Sequence, residues 1–169
     1  MGDTNSDRKE AVRQAWKNEK QLCLKSSGTR DWTQFEQHQL ITTNKVRGYD
    51  GQHMKSVSRF PEHAKNPQNI QFLNREEHIK GAHKGNTKNP TNGYYDPKTK
   101  TMHDFGNKPP QAPQNKLSKP LAQEQINFSQ QMSQKYKSFE SARRSEAKYQ
   151  RPSNKDTAQT SGSSKGQSR

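Results

Sequence analysis

The chain is short of cysteine, of acidic residues and of apolar residues of every kind. One cysteine, Cys23, stands alone among 169 residues. It cannot close an internal disulfide, which suits a reducing compartment, and it excludes a zinc site built on cysteines. Hydrophobic residues make up 24% of the chain, where an ordinary domain has roughly 45–50% apolar content. A core spanning the whole chain is therefore not expected; one small folded region with polar flanks is. No apolar run approaches the ~18 residues of a membrane span. Met1 to Arg13 is polar, so no signal peptide is expected there, which suits the cytoplasm.

Positive charge is abundant. Thirty Lys and Arg face 16 Asp and Glu, for a net charge of +14. That balance points to a polyanionic partner, nucleic acid first. The charge is uneven: residues 105–169 hold 12 Lys or Arg against 4 Asp or Glu. This tail is rich in Gln, Ser, Lys and Pro and reads as a largely disordered low-complexity segment, with a linker at Pro109–Pro120 and a helix over 121–149. Phe128, Met132, Tyr136 and Phe139 would form one stripe on that helix, a surface for docking. Ser153–Arg169 is expected to be disordered.

Three regions are expected: an N-terminal helix within 1–27, a folded core over 28–104, and the tail 105–169. In the first, Ala11, Ala15, Trp16, Leu22 and Cys23 recur at helical spacing, with Asp7 as the cap. Thr33 followed by Glu36 matches a capping box, with Phe35 and Leu40 turned inward on the helix that follows. Gly48 and Gly51 mark a turn or a close approach, and His53–Val57 reads as a short strand. Ile70–Leu73 is the most apolar strand-like run. Asn74 with Glu77 is a second capping-box pattern, starting a helix over 75–82.

Four of the six histidines fall between Gly48 and Gly93 or border the elements there. A strand, a second strand and a helix, carrying His53, Asn69, His78 and His83 in that order, is the arrangement a one-metal phosphodiesterase needs. A neutral imidazole takes a proton from water near pH 7. A divalent ion on other imidazoles neutralises the scissile phosphate. Arg47, Lys55, Arg59 and Arg75 would contact phosphates.

Tyr49-Asp50-Gly51-Gln52-His53, Asn69-Ile70-Gln71-Phe72-Leu73, Arg75-Glu76-Glu77-His78 and Ala82-His83 together resemble an HNH (His-Me finger) nuclease. More narrowly, residues 28–95 resemble the GH-E-type modules of bacterial polymorphic toxins, and more distantly the colicin DNases. The resemblance implies an α+β fold: a small ββα-metal core with an N-terminal helix and a basic tail. It implies a metal-dependent endonuclease hydrolysing phosphodiester bonds in DNA, with RNA as the other candidate substrate, one divalent ion (Mg, Zn, Ni or Mn) and an acidic immunity protein as inhibitor. On this resemblance His53 is the general base and Asn69 the catalytic Asn that orients it or touches the metal. His78, His83 and Gln52 are metal ligands. Asp50 supports the site by holding an Arg, and Glu77 is a helix cap.

Two departures from the family follow. Gln52 stands where a second His or an Asp is usual, and offers only an amide oxygen. His78 and His83 are five apart, which on an α-helix splays them by about 140°; Gly81 between them could permit a wider turn. A catalytically degenerate, nucleic-acid-binding version of the fold is the alternative these departures motivate.

Overall fold

The computed structural model describes residues 4–150, so the expected disorder of Ser153–Arg169 lies outside the described residues. Helix α1 spans Thr4–Leu24 and α2 Gln34–Thr43. Strand β1 (Ser27–Gly28) pairs with β6 (Asn115–Lys116), β2 (Tyr49–His53) with β3 (Ile70–Asn74), and β4 (Gly93–Asp96) with β5 (Thr101–Asp104), all antiparallel. Helix α3 spans Gln123–Tyr149. The mixed helix and small-sheet class agrees with the α+β expectation. No helix among the described residues is long and apolar enough to cross a membrane.

The chain divides into two units after Tyr136. The first is larger than the 28–104 core expected. Helix α1 buries Ala11, Ala15, Glu19 and Cys23, spaced four apart on one face, with Trp16 beside them. Trp16 stacks on Phe72 of β3 with ring centroids 3.7 Å apart, and Trp32 meets Tyr49 edge-on at 5.0 Å. Leu117, Leu121 and Ile126 join the same cluster. The helix and the start of the tail are thus parts of one core rather than flanks. Burying each of these large side chains contributes roughly 2–3 kcal/mol.

Polar groups anchor that core. Glu19, 1% exposed, accepts from Trp32 Nε1 (2.7 Å), Thr29 N (2.8 Å) and Thr29 Oγ1 (2.8 Å). Desolvation nevertheless pushes its carboxyl above the usual range. Cys23 is a free, buried thiol, pushed up to about 11 by burial and by Glu19, which leaves it unreactive.

The Thr33 capping box is present in full. Helix α2 buries Gln37, Leu40 and Ile41, but Phe35 is 75% exposed, against expectation. Phe35 lies five residues from Leu40 and so points about 140° away. On α3 the buried residues are Ile126, Ser129 and Ser133. The Phe128–Phe139 stripe lies beside that face and is largely exposed. The expected strand at His53–Val57 is also displaced: the strand ends at His53 instead of starting there.

Candidate active site

Strands β2 and β3 pair with Gly51 opposite Phe72, Gln52 opposite Gln71 and His53 opposite Ile70. Gly51 is where helix α1 comes down on the hairpin. A Cβ there would sit 2.8 Å from Val12 Cγ1, inside contact distance. Gln71 ties the hairpin to the next one: its amide accepts from Tyr95 N (3.0 Å) and donates to Tyr95 O.

After β3 the chain reverses into a helical turn. Asn74 and Glu77 cap each other, Glu77 N donating to Asn74 Oδ1 (2.9 Å) and Asn74 N to Glu77 Oε2 (3.1 Å). Glu77 also takes a two-pronged bond from Arg30, at 2.7 and 2.8 Å. From Glu77 to Ala82 the turn is π-helical. His83 N donates to His78 O at 3.1 Å, a bond from i to i−5. One wide turn thus separates the two histidines, and their rings lie 4.9 Å apart. Gly81 sits against the Tyr95 ring, where a Cβ would lie 2.5–2.8 Å from three ring carbons.

His83 is 9% exposed. Its Nδ1 lies 2.8 Å from Asn89 O, and Asn89 Nδ2 donates back to His83 O. A carbonyl only accepts, so Nδ1 carries the proton and the neutral ring keeps its lone pair on Nε2. Gln52 Nε2 lies 3.4 Å from that Nε2, while Gln52 Oε1 is buried with no hydrogen-bond partner. Burial, and then the neighbouring His83, hold the His78 imidazole below its ordinary value; Asp50 acts in the opposite sense.

His53 closes β2. Its Nε2 donates to Ala64 O (2.9 Å), which leaves Nδ1 as the lone-pair nitrogen. Burial lowers its pKa, the Ala64 bond works against that shift, and the Arg8 charge lowers it further. Asn69, 0% exposed, clamps the backbone just beyond: it accepts from Lys55 N (2.7 Å) and donates to Lys55 O (3.0 Å) and His63 O (3.3 Å). Its amide is spent on the main chain, so it holds the loop and is not placed to touch a metal.

His53, Gln52, His78 and His83 line one open cleft of about 270 Å³, together with Arg8 of α1 and Lys88. Among the described residues no three His, Cys, Asp or Glu side chains are grouped to hold a metal. The groups facing the cleft are the three imidazoles of His53, His78 and His83 and the amide of Gln52.

Other expected residues lie elsewhere. Asp50 is exposed and does not hold an Arg; Arg30 is taken by Glu77. Lys55 is not a phosphate contact, because it is 3% exposed, its Nζ donating to Gly106 O (3.0 Å) over the Phe60 ring. Arg47, Arg59 and Arg75 are exposed, outside the cleft lining. Arg8 and Lys88 are in that lining and carry no local motif; the helical spacing of Arg8 to Val12 becomes informative only once Val12 is known to sit on Gly51.

Residues 4–74 match the family model Tox-GHH, described as a GHH signature containing HNH/Endo VII superfamily nuclease toxin. This segment is therefore similar to a nuclease-toxin module. The match starts with α1, which the motif resemblance leaves out, and stops before His78 and His83. Within it, Gly51-Gln52-His53 alone has the order Gly-X-His. The chain is also similar to Teneurin-3 of Mus musculus (42% identical over 71 residues), Teneurin-4 of Homo sapiens (41% over 71) and Teneurin-m of Drosophila melanogaster (37% over 65). These matches cover 41%, 41% and 38% of this chain, and the chain spans 2–3% of the length of those relatives.

Proposed function

We propose that this chain is a metal-dependent HNH endonuclease of the bacterial toxin type, hydrolysing phosphodiester bonds in DNA. The observation that carries the reading is the convergence of His53, Gln52, His78 and His83 on one cleft, with His53 and His83 each donating one ring N–H to a backbone carbonyl and keeping the lone pair on the other nitrogen.

His53 Nδ1 takes the proton of the attacking water. The Ala64 carbonyl holds Nε2–H and so keeps the ring oriented and partly offsets the charge of the imidazolium that forms. Asn69 positions His53 by fixing the backbone at Lys55. His78, His83 and Gln52 Oε1 would hold one divalent ion, Mg, Zn, Ni or Mn. The orphaned Oε1 fits such a cation, and the lone pair of His83 Nε2, met by Gln52 Nε2 at 3.4 Å, joins it once that amide turns. When bound, it supplies Lewis-acid stabilisation of charge on the phosphate and the leaving oxygen. Asp50 lends negative charge near His78. Arg47, Arg59 and Arg75 track the nucleic-acid backbone outside the cleft, and an acidic immunity protein would complement the +14 charge. The test is nicking of supercoiled plasmid after EDTA treatment, each ion being added back singly. Nicking that needs an ion and is abolished by EDTA is expected; no cleavage in any ion would sink the reading.

One observation favours a second reading, a binding module that no longer cuts. The Gln52 Nε2–H faces the lone pair of His83 Nε2, where an imidazole at position 52 would leave it to a metal. That reading expects salt-sensitive DNA binding without cleavage.

A further inference from the structure

The Gly51 contact and the cleft lining, taken together, concern a residue no motif marks. Helix α1 is held to the core by Ala11, Ala15, Trp16 and Glu19. Its Val12 presses on β2 at Gly51, one residue before Gln52. Arg8 lies four residues before Val12, on the same helix face and one turn nearer the N-terminus. That turn reaches the cleft: Arg8 lines it beside His53, and its charge acts on the His53 ring. Lys88 enters the lining from the loop after the π-turn. No Asp or Glu among the described residues lines this cleft. The pocket around Thr29–Asp31 and Tyr94–Lys98 differs, since Asp31 and Asp96 lie in its lining. Arg8 is exposed. Arg13 on the same helix is spent on Glu10, at 2.6 Å.

We infer that Arg8, with Lys88, forms the phosphate-binding rim of the cleft, and that position 51 is glycine because α1 must close on β2 to bring Arg8 there. The ligand is the phosphodiester backbone of nucleic acid, so the inference rests on the function proposed above. A guanidinium held at the mouth of a cleft grips a phosphate by two parallel N–H bonds, and Lys88 adds a point charge. Together they set the scissile phosphate against His53. The family match that begins at Thr4 is consistent with a helix that belongs to the site and not only to the core.

The test is binding of a short fluorescent DNA duplex in EDTA, where cleavage is stopped, across a series of KCl concentrations. Arg8→Ala and Lys88→Ala are each expected to weaken binding about tenfold and to reduce the slope of log K against log salt by about 0.9, the loss of one phosphate contact. Arg8→Lys should recover most of the slope. Arg13→Ala removes the same charge from the same helix and should stay within about twofold of wild type. If Arg8→Ala behaves like Arg13→Ala while the wild type binds and cuts DNA, Arg8 is a solvated surface residue and this inference fails alone. If the wild type neither binds nor cuts, the proposed function falls with it.

Discussion

His83 donates its backbone N–H to the carbonyl of His78, at 3.1 Å, and this single i to i−5 bond places two imidazoles 4.9 Å apart on one cleft. An α-helical bond at the same place would turn them away from each other. The wide turn is supported from outside the helix, by the Tyr95 ring against Gly81 and the Gln71 amide on the Tyr95 backbone.

Gly81→Ala should therefore disturb the histidine pair. The added methyl meets the Tyr95 ring, and overpacking of this kind costs about 1–3 kcal/mol. Thermal unfolding should register the loss, and a zinc titration should show affinity falling about tenfold or more as the two rings part. Unchanged zinc affinity would mean that the π-turn does not set the donor geometry.

Gln52→His should raise metal affinity, by about ten- to a hundredfold, because a third imidazole replaces a weak amide oxygen. Isothermal titration with zinc or nickel reads this directly. Equal affinity in the two proteins would show that position 52 does not face the metal.

Glu19 gives a pH-dependent stability of defined sign. Its folded pKa lies above its unfolded value, so the folded state holds the proton more tightly, and stability falls as pH rises from the ordinary glutamate range through the folded pKa. Glu19→Gln keeps partners for Trp32 and Thr29 without the charge, and should flatten that dependence in denaturant titrations at several pH values. Glu19→Ala leaves Trp32 Nε1 and Thr29 stranded and should cost about 2–4 kcal/mol.

His53 behaves in the opposite sense. Its pKa is lowered by burial, so the ring is neutral in the fold, and stability from this group falls as pH drops below the ordinary histidine range. A general base of this kind is already unprotonated at neutral pH, so cleavage should rise with pH below the ordinary histidine value and then level off. A rate still climbing well above that value would place the base elsewhere.

Local signals were legible in the sequence and tertiary ones were not. The capping boxes at Thr33 and Asn74 need only residues three apart, and both formed. The strand at Ile70–Leu73 announced itself by composition. The order His53, Asn69, His78, His83 was readable, but the π-turn that unites the last two depends on Tyr95, which no helical pattern contains. Arg8 reaches the cleft only because Val12 meets Gly51, far along the chain. Lys55 read as a surface charge because its partners, the Phe60 ring and the Gly106 carbonyl, are assembled by folding. Hydrophobic type alone placed Phe35 inward, although its helical phase opposes that of Leu40.

The role of His53 as the base of a phosphodiesterase is tested by the plasmid-nicking rate of His53→Ala at neutral pH and saturating divalent ion. The variant must match the wild type in thermal stability and in metal affinity. The rate is predicted to fall by about a hundredfold or more, the usual contribution of a positioned base. Nicking at the wild-type rate would remove His53 from that role, because the cleft would then cut without the residue assigned to take the proton.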